Sequence, residues 1–194
     1  MDILIVILLI LLLNTYLIKA LSNRFVIASE RYLWAVFIVH FLLSTAYMIY
    51  AAYSTSDSIA YYNVTSGSEK WLPLWGIGTP FIHFFAWPFA RLLGLSYYAT
   101  MIIFSFLGYL AVVLFYITAK ENIQLKPVWQ NLTAIELVFL LPNLHFWSSS
   151  LGKGSLILLG LAYFTFGLSR FNRRVFPIMI GGFLTFMIRP HILL

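Results

Sequence analysis

Three charged side chains stand out because they fall in short polar segments between long apolar runs: Asp57, Lys153 and Arg189. An aspartate can accept a proton from a hydroxyl group, and lysine or arginine can hold a phosphate group. Together they suit the transfer of a group from a phosphate ester to a hydroxyl. The alternatives are a solvated loop acid or a helix N-cap for Asp57, and contact with lipid headgroups for the two cations.

The long polar interval at residues 54–75 carries the first of these side chains. It holds two of the six acidic residues, Asp57 and Glu69. We predict Asp57 as the proton acceptor, because it lies just beyond an apolar span, and Glu69 as the second candidate. The rings of Tyr61 and Tyr62 follow closely and could stack on a sugar or lie at the boundary of the lipid headgroups.

The composition places the chain in a membrane. Of its 194 residues, 62% are hydrophobic and 9% are charged, and the mean hydropathy is +0.92, whereas about a quarter of the residues of a soluble domain are charged. The absence of cysteine excludes disulfides, thiol nucleophiles and thiolate metal sites. We assign the net charge of +6 to membrane-anchoring loops and predict no binding of nucleic acid.

Apolar runs predict an all-α, polytopic transmembrane bundle of about six spans, each needing about 20 residues. The runs are residues 3–18, 32–53, 97–118, 132–141, 156–169 and 175–188. We treat residues 1–194 as a single transmembrane domain. Because the apolar pattern breaks off at the last residues, we expect the chain to be the N-terminal fragment of a longer membrane protein.

Positive charges give the predicted orientation. Lys19, Arg24 and Arg31 follow the first span, so we predict an outer N-terminus and place residues 19–31 in the cytoplasm. The apolar segment 79–96 is interrupted by two prolines and carries a histidine and an arginine. Lys120, Lys126 and the three arginines of RFNRR (residues 170–174) lie on the cytoplasmic side only if residues 79–96 do not span the membrane. We therefore predict an interfacial or re-entrant helix at residues 79–96, within an outer loop of residues 54–96.

Under this topology, one face collects charged and histidine side chains for which membrane anchoring gives no reason. Its members are Asp57, Glu69, Lys70, His83, Arg91, His145, Lys153, Arg189 and His191. The positive-inside rule explains inner cations but not outer ones. An anionic ligand at the membrane surface, such as the phosphate of a lipid carrier, would explain them. The spacing of the histidines supports no specific metal site, so we predict no cofactor and leave a divalent metal open.

Three positions inside the apolar runs have alternative interpretations. His40, near the centre of the second run, is either a proton relay or a hydrogen-bonded packing residue. Glu136 either pairs with a basic loop residue near the inner surface or serves as a buried charge partner. The pair Gly181-Gly182 indicates close contact between helices.

The polar loop and two later segments resemble known families. The heptapeptide SDSIAYY (residues 56–62), followed by an interfacial helix and a span, resembles the polytopic membrane glycosyltransferases of the GT-C class. The segments FWSSSLGKGSL (residues 146–156) and FMIRPHILL (residues 186–194) are similar to those of bacterial proteins of cell-surface polysaccharide synthesis, including oligosaccharide repeat-unit polymerases. The resemblance implies that Asp57 is the base and that Lys153 and Arg189 hold a polyprenyl-phosphate-linked donor.

The resemblance also implies location and partners. The protein is expected in the cell inner (plasma) membrane, with membrane lipid and a polyprenyl-phosphate-linked sugar or oligosaccharide as partners. The predicted substrate-binding residues are Tyr61, Tyr62, Glu69, His145, Lys153, Arg189 and His191. Two features differ from the related sequences: an additional first span, and Gly154 where an acidic residue often follows the lysine. Polymerase and single-sugar transferase stay open, and the alternative is a non-catalytic transporter of lipid-linked glycans or a scaffold subunit.

Overall fold

The computed structural model describes residues 1–25 and 28–193. Residues 26 and 27 of the predicted inner loop, and residue 194 of the FMIRPHILL segment, lie outside this description. Within it the chain is helical apart from one short β-hairpin. An apolar chain in lipid must satisfy its backbone hydrogen bonds internally, and helices do so within one segment.

Three helices are long and apolar enough to cross a membrane: α1 (Asp2–Arg24), α2 (Glu30–Tyr53) and α5 (Tyr97–Asn122). They confirm that three of the predicted apolar runs form helices of spanning length. The six-span prediction is not confirmed, because α8 (Lys153–Leu168) is long enough for a span only together with α7 (Pro142–Ser148), across a bend of 112°. Helix α9 (Val175–Ile188) has 14 residues.

Helix α5 is the centre of the bundle, and its buried side chains extend along most of its length. Helix α1 packs on it through residues that recur about once per turn: Val6, Ile10, Asn14 and Ile18. The remaining face of α1 is apolar and exposed, as expected for a helix that faces lipid.

Side-chain contacts distinguish the two ends of the bundle. At one end the Ser96 amide donates a hydrogen bond of 2.7 Å to Oδ2 of Asp2, so the start of α1 lies beside the end of the 54–96 loop. We call this the Asp57 end. At the other end, Arg174 donates hydrogen bonds of 2.6 and 2.8 Å to the two carboxylate oxygens of Glu121. We call this the Arg174 end.

The predicted span at residues 132–141 is not a continuous helix. Strands β1 (Pro127–Trp129) and β2 (Leu132–Thr133) form an antiparallel hairpin, and α6 (Ala134–Val138) is five residues long. Glu136 closes a capping box with Thr133, which explains why a helix begins here. Glu136 also pairs with Lys120 at 3.4 Å, which confirms the predicted ion pair with a basic residue.

Residues 142–155, which separate two of the predicted spans and carry His145 and Lys153 of the predicted outer face, begin with α7, a helix with a buried side. The serines at positions 148 and 149 are buried because each hydroxyl bonds a backbone carbonyl of its own segment. Helix α7 lies so close to α5 that a Cβ added at Gly108 would overlap the carbonyl group of Ser148. The polar residues of this segment therefore do not form an exposed loop.

The 54–96 loop contains two helices packed on each other, α3 (Asp57–Gly67) and α4 (Thr79–Trp87), with a 3-10 turn between them. Helix α4 continues as a π-helical turn at Pro88–Leu92. The predicted helix at 79–96 is therefore present over residues 79–92. The ring of Trp71 stacks on Phe84 of α4, with ring centroids 4.7 Å apart.

Candidate functional site

The first turn of α3 fixes the position of Asp57. Ser56, not Asp57, is the N-cap, and its Oγ accepts from the Ser58 amide at 3.3 Å. Ser56 Oγ also lies 3.1 Å from the Tyr47 hydroxyl, and Ser58 Oγ lies 2.8 Å from the Tyr97 hydroxyl. Hydroxyl contacts thus tie this helix start to α2 and α5, and they leave the Asp57 carboxylate exposed.

An open concavity of about 480 Å³ surrounds Asp57. Its lining consists of Ser54, Thr55, Ser56, Asp57, Ile59, Ala60 and Asn63. Apart from one charge, the polar groups are hydroxyls and an amide, which can both donate and accept hydrogen bonds. The lining therefore suits a hydroxyl-rich ligand such as a sugar.

Tyr61, one turn after Asp57, is where separate segments meet. Burial raises the pKa of its phenol, and the Asp57 charge raises it further, while the Thr79 side chain and the Arg189 charge act in the opposite direction. Both charges therefore lie close enough to act on the same phenol. The ring also covers Gly152, since a Cβ there would lie 3.2 Å from Cε2 of Tyr61.

Arg189 reaches this place because the end of α9 is bound to the start of α4. The Gly78 amide donates a hydrogen bond of 2.7 Å to the Met187 carbonyl. Arg189 follows the last residue of α9 and is exposed, and His191 lies in the exposed 3-10 turn at Pro190–Ile192. Across residues 1–25 and 28–193, no ion pair occupies Arg189.

Lys153 is the first residue of α8 and is half-buried. The helix start has no side-chain cap, and the N-cap is Gly152 beneath the Tyr61 ring. A Cβ at Gly154 would lie 2.5 Å from the Trp147 carbonyl oxygen, so a larger residue does not fit without rearrangement. An uncapped N-terminus and an adjacent lysine are both favourable to an anion.

His83 of α4 supports Tyr61 from the other side, with ring centroids 5.6 Å apart. The Thr65 hydroxyl donates to the Tyr61 carbonyl at 2.6 Å and lies 3.1 Å from Nδ1 of His83, so Nδ1 carries the proton that Thr65 accepts. Burial lowers the pKa of His83, and the Tyr61 backbone opposes that effect. His83 thus acts on the predicted site through Tyr61.

The other predicted substrate-binding residues are distributed over different places. The Tyr62 hydroxyl donates to the Leu95 carbonyl at 2.9 Å, which directs the ring towards the start of α5. Glu69 is exposed in the turn that follows α3. His145 is fully buried in α7, where its Nδ1 lies 2.9 Å from Nδ1 of His40. The structure therefore groups Asp57, Tyr61, Gly152 and Arg189 but not His145.

Sequence reasoning missed several residues that build this place. Ser56 and Tyr97 hold the α3 start, Thr79 and His83 contact Tyr61, and Gly152 lies beneath its ring. The N-cap preference of serine was a usable signal at Ser56. The glycines on both sides of Lys153 were another, because glycine permits close approach of neighbouring atoms.

No cluster of three or more histidine, aspartate or glutamate side chains that could hold a metal ion occurs in the described part of the chain. The comparisons with known proteins add no assignment. Neither a protein-family model, nor a curated protein, nor a solved structure matches this chain. Function must therefore be argued from the residues and their geometry.

Proposed function

We propose that the protein is a membrane glycosyltransferase or polysaccharide polymerase that takes sugar from a polyprenyl-phosphate-linked donor. The reaction would take place at the outer face of the inner (plasma) membrane. The observation that carries this proposal is the convergence on Tyr61: Asp57, Arg189 and the Gly152-Lys153 helix start belong to three segments far apart in the sequence. This convergence supports a carboxylate and the Arg189 cation serving one site, with Lys153 next to Gly152 as the second proposed cation.

The proposed chemistry gives each group one role. Asp57 takes the proton of the acceptor hydroxyl while the acceptor oxygen bonds to the anomeric carbon of the donor sugar. The bond from that carbon to the phosphate oxygen breaks, and the phosphate leaves with the bonding electrons. Lys153 and Arg189 stabilise the negative charge of the leaving phosphate. The Tyr61 ring is proposed to orient the sugar between them.

Three neighbouring concavities that share lining residues suggest a path for the lipid chain of such a donor. The concavity at Asp57 shares Ile59 and Asn63 with a second one of about 240 Å³ beside Tyr97. The second shares Met48 with a third, about 220 Å³ in volume, which lies between α1, α2 and α5. The lining changes from polar at Asp57 to almost entirely apolar in the third concavity. This gradient suits a ligand with a polar headgroup and a hydrocarbon chain.

We further propose that the chain crosses the membrane six times, with residues 132–152 as one broken crossing. Glu136 pairs with Lys120 at the Arg174 end, and Gly152 lies under Tyr61 at the Asp57 end. The segment between them therefore runs from one end of the bundle to the other. Helices α8 and α9 then return and cross again, which places Lys153 and Arg189 at the same end as Asp57.

The direct test is sugar transfer in proteoliposomes with a polyprenyl-phosphate-linked donor. Asp57→Asn should lower the rate about 10²- to 10⁴-fold, the range typical for loss of a general base. Glu30→Gln, an exposed acid at the first turn of α2, is the matched control and should leave the rate unchanged. Full activity of Asp57→Asn in correctly inserted protein would refute the assignment.

Arg189→Gln tests the donor-binding role, with Arg173→Gln as its control at the Arg174 end. The first variant should raise the donor concentration needed for half-maximal rate, and the control should not. If both variants need the same donor concentration for half-maximal rate, Arg189 contacts lipid headgroups and does not bind the donor. A scaffold subunit would instead keep its assembly function when Asp57, Lys153 and Arg189 are all replaced.

A further inference from the structure

A pair of histidines in the middle of the bundle is not used by the proposed reaction. His40 of α2 and His145 of α7 are both fully buried, and their Nδ1 atoms are 2.9 Å apart. Their rings are edge to face, with centroids 5.2 Å apart and planes at 80°. Ionisable groups inside a membrane bundle are costly and mark functional positions more often than packing positions.

Hydrogen bonding fixes which nitrogen atoms carry protons. Nε2 of His145 lies 2.8 Å from the Phe139 carbonyl oxygen, which can only accept, so this nitrogen must be an N–H. A neutral His145 then has a lone pair on Nδ1. The contact between the two Nδ1 atoms requires one proton, which must therefore belong to His40.

This assignment of protons leaves Nε2 of His40 unprotonated and, among the described residues, without a hydrogen bond. With its proton on Nδ1, neutral His40 has a lone pair on Nε2, which is buried and has no hydrogen-bond partner among the described residues. The ring also lies beside the backbone of Ser105, whose carbonyl oxygen is an acceptor. The two neutral rings together carry two N–H groups, and the Nε2 lone pair of His40 can bind one further proton.

We propose that His40 and His145 form a buried site that binds one proton. The proton attaches to the Nε2 lone pair of His40 and makes it an N–H donor, and no existing hydrogen bond breaks. A second proton would have to enter the bond between the two Nδ1 atoms. That would place two N–H groups and two positive charges against each other. The two histidines therefore bind only one additional proton.

The surroundings hold the two rings but do not neutralise a charge. Tyr109 of α5 is the other titratable side chain beside the pair, with its ring centroid 6.2 Å from that of His40. The hydroxyls of Ser44 and Ser105 are also buried and without a hydrogen-bond partner in residues 1–25 and 28–193. Among these described residues, no carboxylate or cation interacts with either histidine ring. Burial opposes the cation, so we expect the site to be empty at neutral pH and to fill on acidification.

The site is connected to the candidate functional site through α7. His145 bonds α7 to α2 and to the Phe139 carbonyl across the break that precedes it. The end of α7 rests on Gly108, and seven residues after His145 the chain reaches Gly152 under the Tyr61 ring. Loading the site with one proton keeps this connection, whereas a second proton would break it.

The test is ¹⁵N NMR of histidine-labelled protein in lipid bilayers, in a His83→Gln/His191→Gln background that leaves only the pair. At about pH 7.5 we expect His145 with its proton on Nε2 and His40 with its proton on Nδ1. On stepwise acidification to about pH 3, one further ring nitrogen should become protonated. Two rings that both carry the proton on Nε2 at neutral pH would overturn the proposal. So would uptake of two protons, or of none.

A second variant separates proton binding from folding. His40→Asn retains an amide N–H that can bond His145, but it removes the nitrogen that accepts the additional proton. We expect proton uptake by the remaining ring to be lost while the unfolding midpoint and the total tryptophan fluorescence change little. Undiminished uptake in this variant would contradict the assignment of the site to His40.

Discussion

Replacing Gly181 by alanine, with Gly182→Ala as the matched control, tests how α8 and α9 pack. Both glycines are in the same helix, and only one of them faces the neighbouring backbone. A Cβ at Gly181 would lie 2.5 Å from the Gly160 carbonyl oxygen and 2.8 Å from Cα of Phe164. A Cβ at Gly182 would lie 3.9 Å from ring atoms of Phe164, an ordinary contact distance.

The magnitude follows from the difference between the variants. Both gain the helix propensity of alanine over glycine, about 1 kcal/mol, so that contribution cancels. Only Gly181→Ala forces backbone atoms apart, and overpacking of this kind costs about 1–3 kcal/mol. The two variants should therefore differ about 5- to 150-fold in their unfolding equilibrium. The corresponding difference in unfolding temperature is about 2–4 °C for each kcal/mol.

The assay is reversible unfolding in detergent micelles, followed by circular dichroism as the denaturing detergent is increased. Gly182→Ala should be as stable as the unchanged protein or slightly more stable, and Gly181→Ala should unfold at a lower denaturant concentration. Equal shifts for both variants would show that α8 and α9 do not approach at Gly181, and the close-packed hairpin would be refuted.

Two further predictions concern stability. Glu121→Gln should destabilise the protein by about 3 kcal/mol, because the nearly buried Arg174 loses its paired charge, while Glu69→Gln at an exposed position should change the free energy of unfolding by less than about 0.5 kcal/mol. Burial lowers the pKa of His83, so its neutral ring stabilises the fold above the ordinary pKa of about 6.5, and that contribution is lost as the pH falls. Lowering the pH from about 7.5 to about 5 should therefore reduce the unfolding midpoint more in the unchanged protein than in His83→Gln, and parallel curves would contradict this.

Part of the fold could be predicted because it depends on local properties of the chain. The helices α1, α2 and α5 follow from unbroken apolar runs, whose backbone groups can be satisfied only within the segment. The prolines of the 79–96 segment indicated an interrupted helix, and the positive charges of the later loops predicted that it does not span. The ion pair of Glu136 was predictable because a carboxylate near the end of an apolar run needs a partner.

Residues 132–155 were predicted wrongly as a continuous span followed by a polar loop. The serines of this segment bond their own backbone carbonyls and can therefore be buried, so their polarity carries no information about exposure. Pro142 begins a new helix rather than ending one, as proline commonly does at the first helical position. The close approach of Ser148 to Gly108 of α5 joins residues about forty positions apart, so neither segment alone indicates it.

The sequence by itself determined an all-helical membrane protein, the polar loop that holds Asp57, and the residue types available for chemistry. Only the tertiary structure decided that Gly152 lies against the ring of Tyr61, that the charge of Arg189 acts on the Tyr61 phenol, and that His145 faces His40 in the interior. The physical reason is the distance along the sequence over which each interaction acts. Hydrophobicity and helix formation act over one segment, whereas these contacts join residues up to about 130 positions apart, and only packing of the whole bundle brings them together.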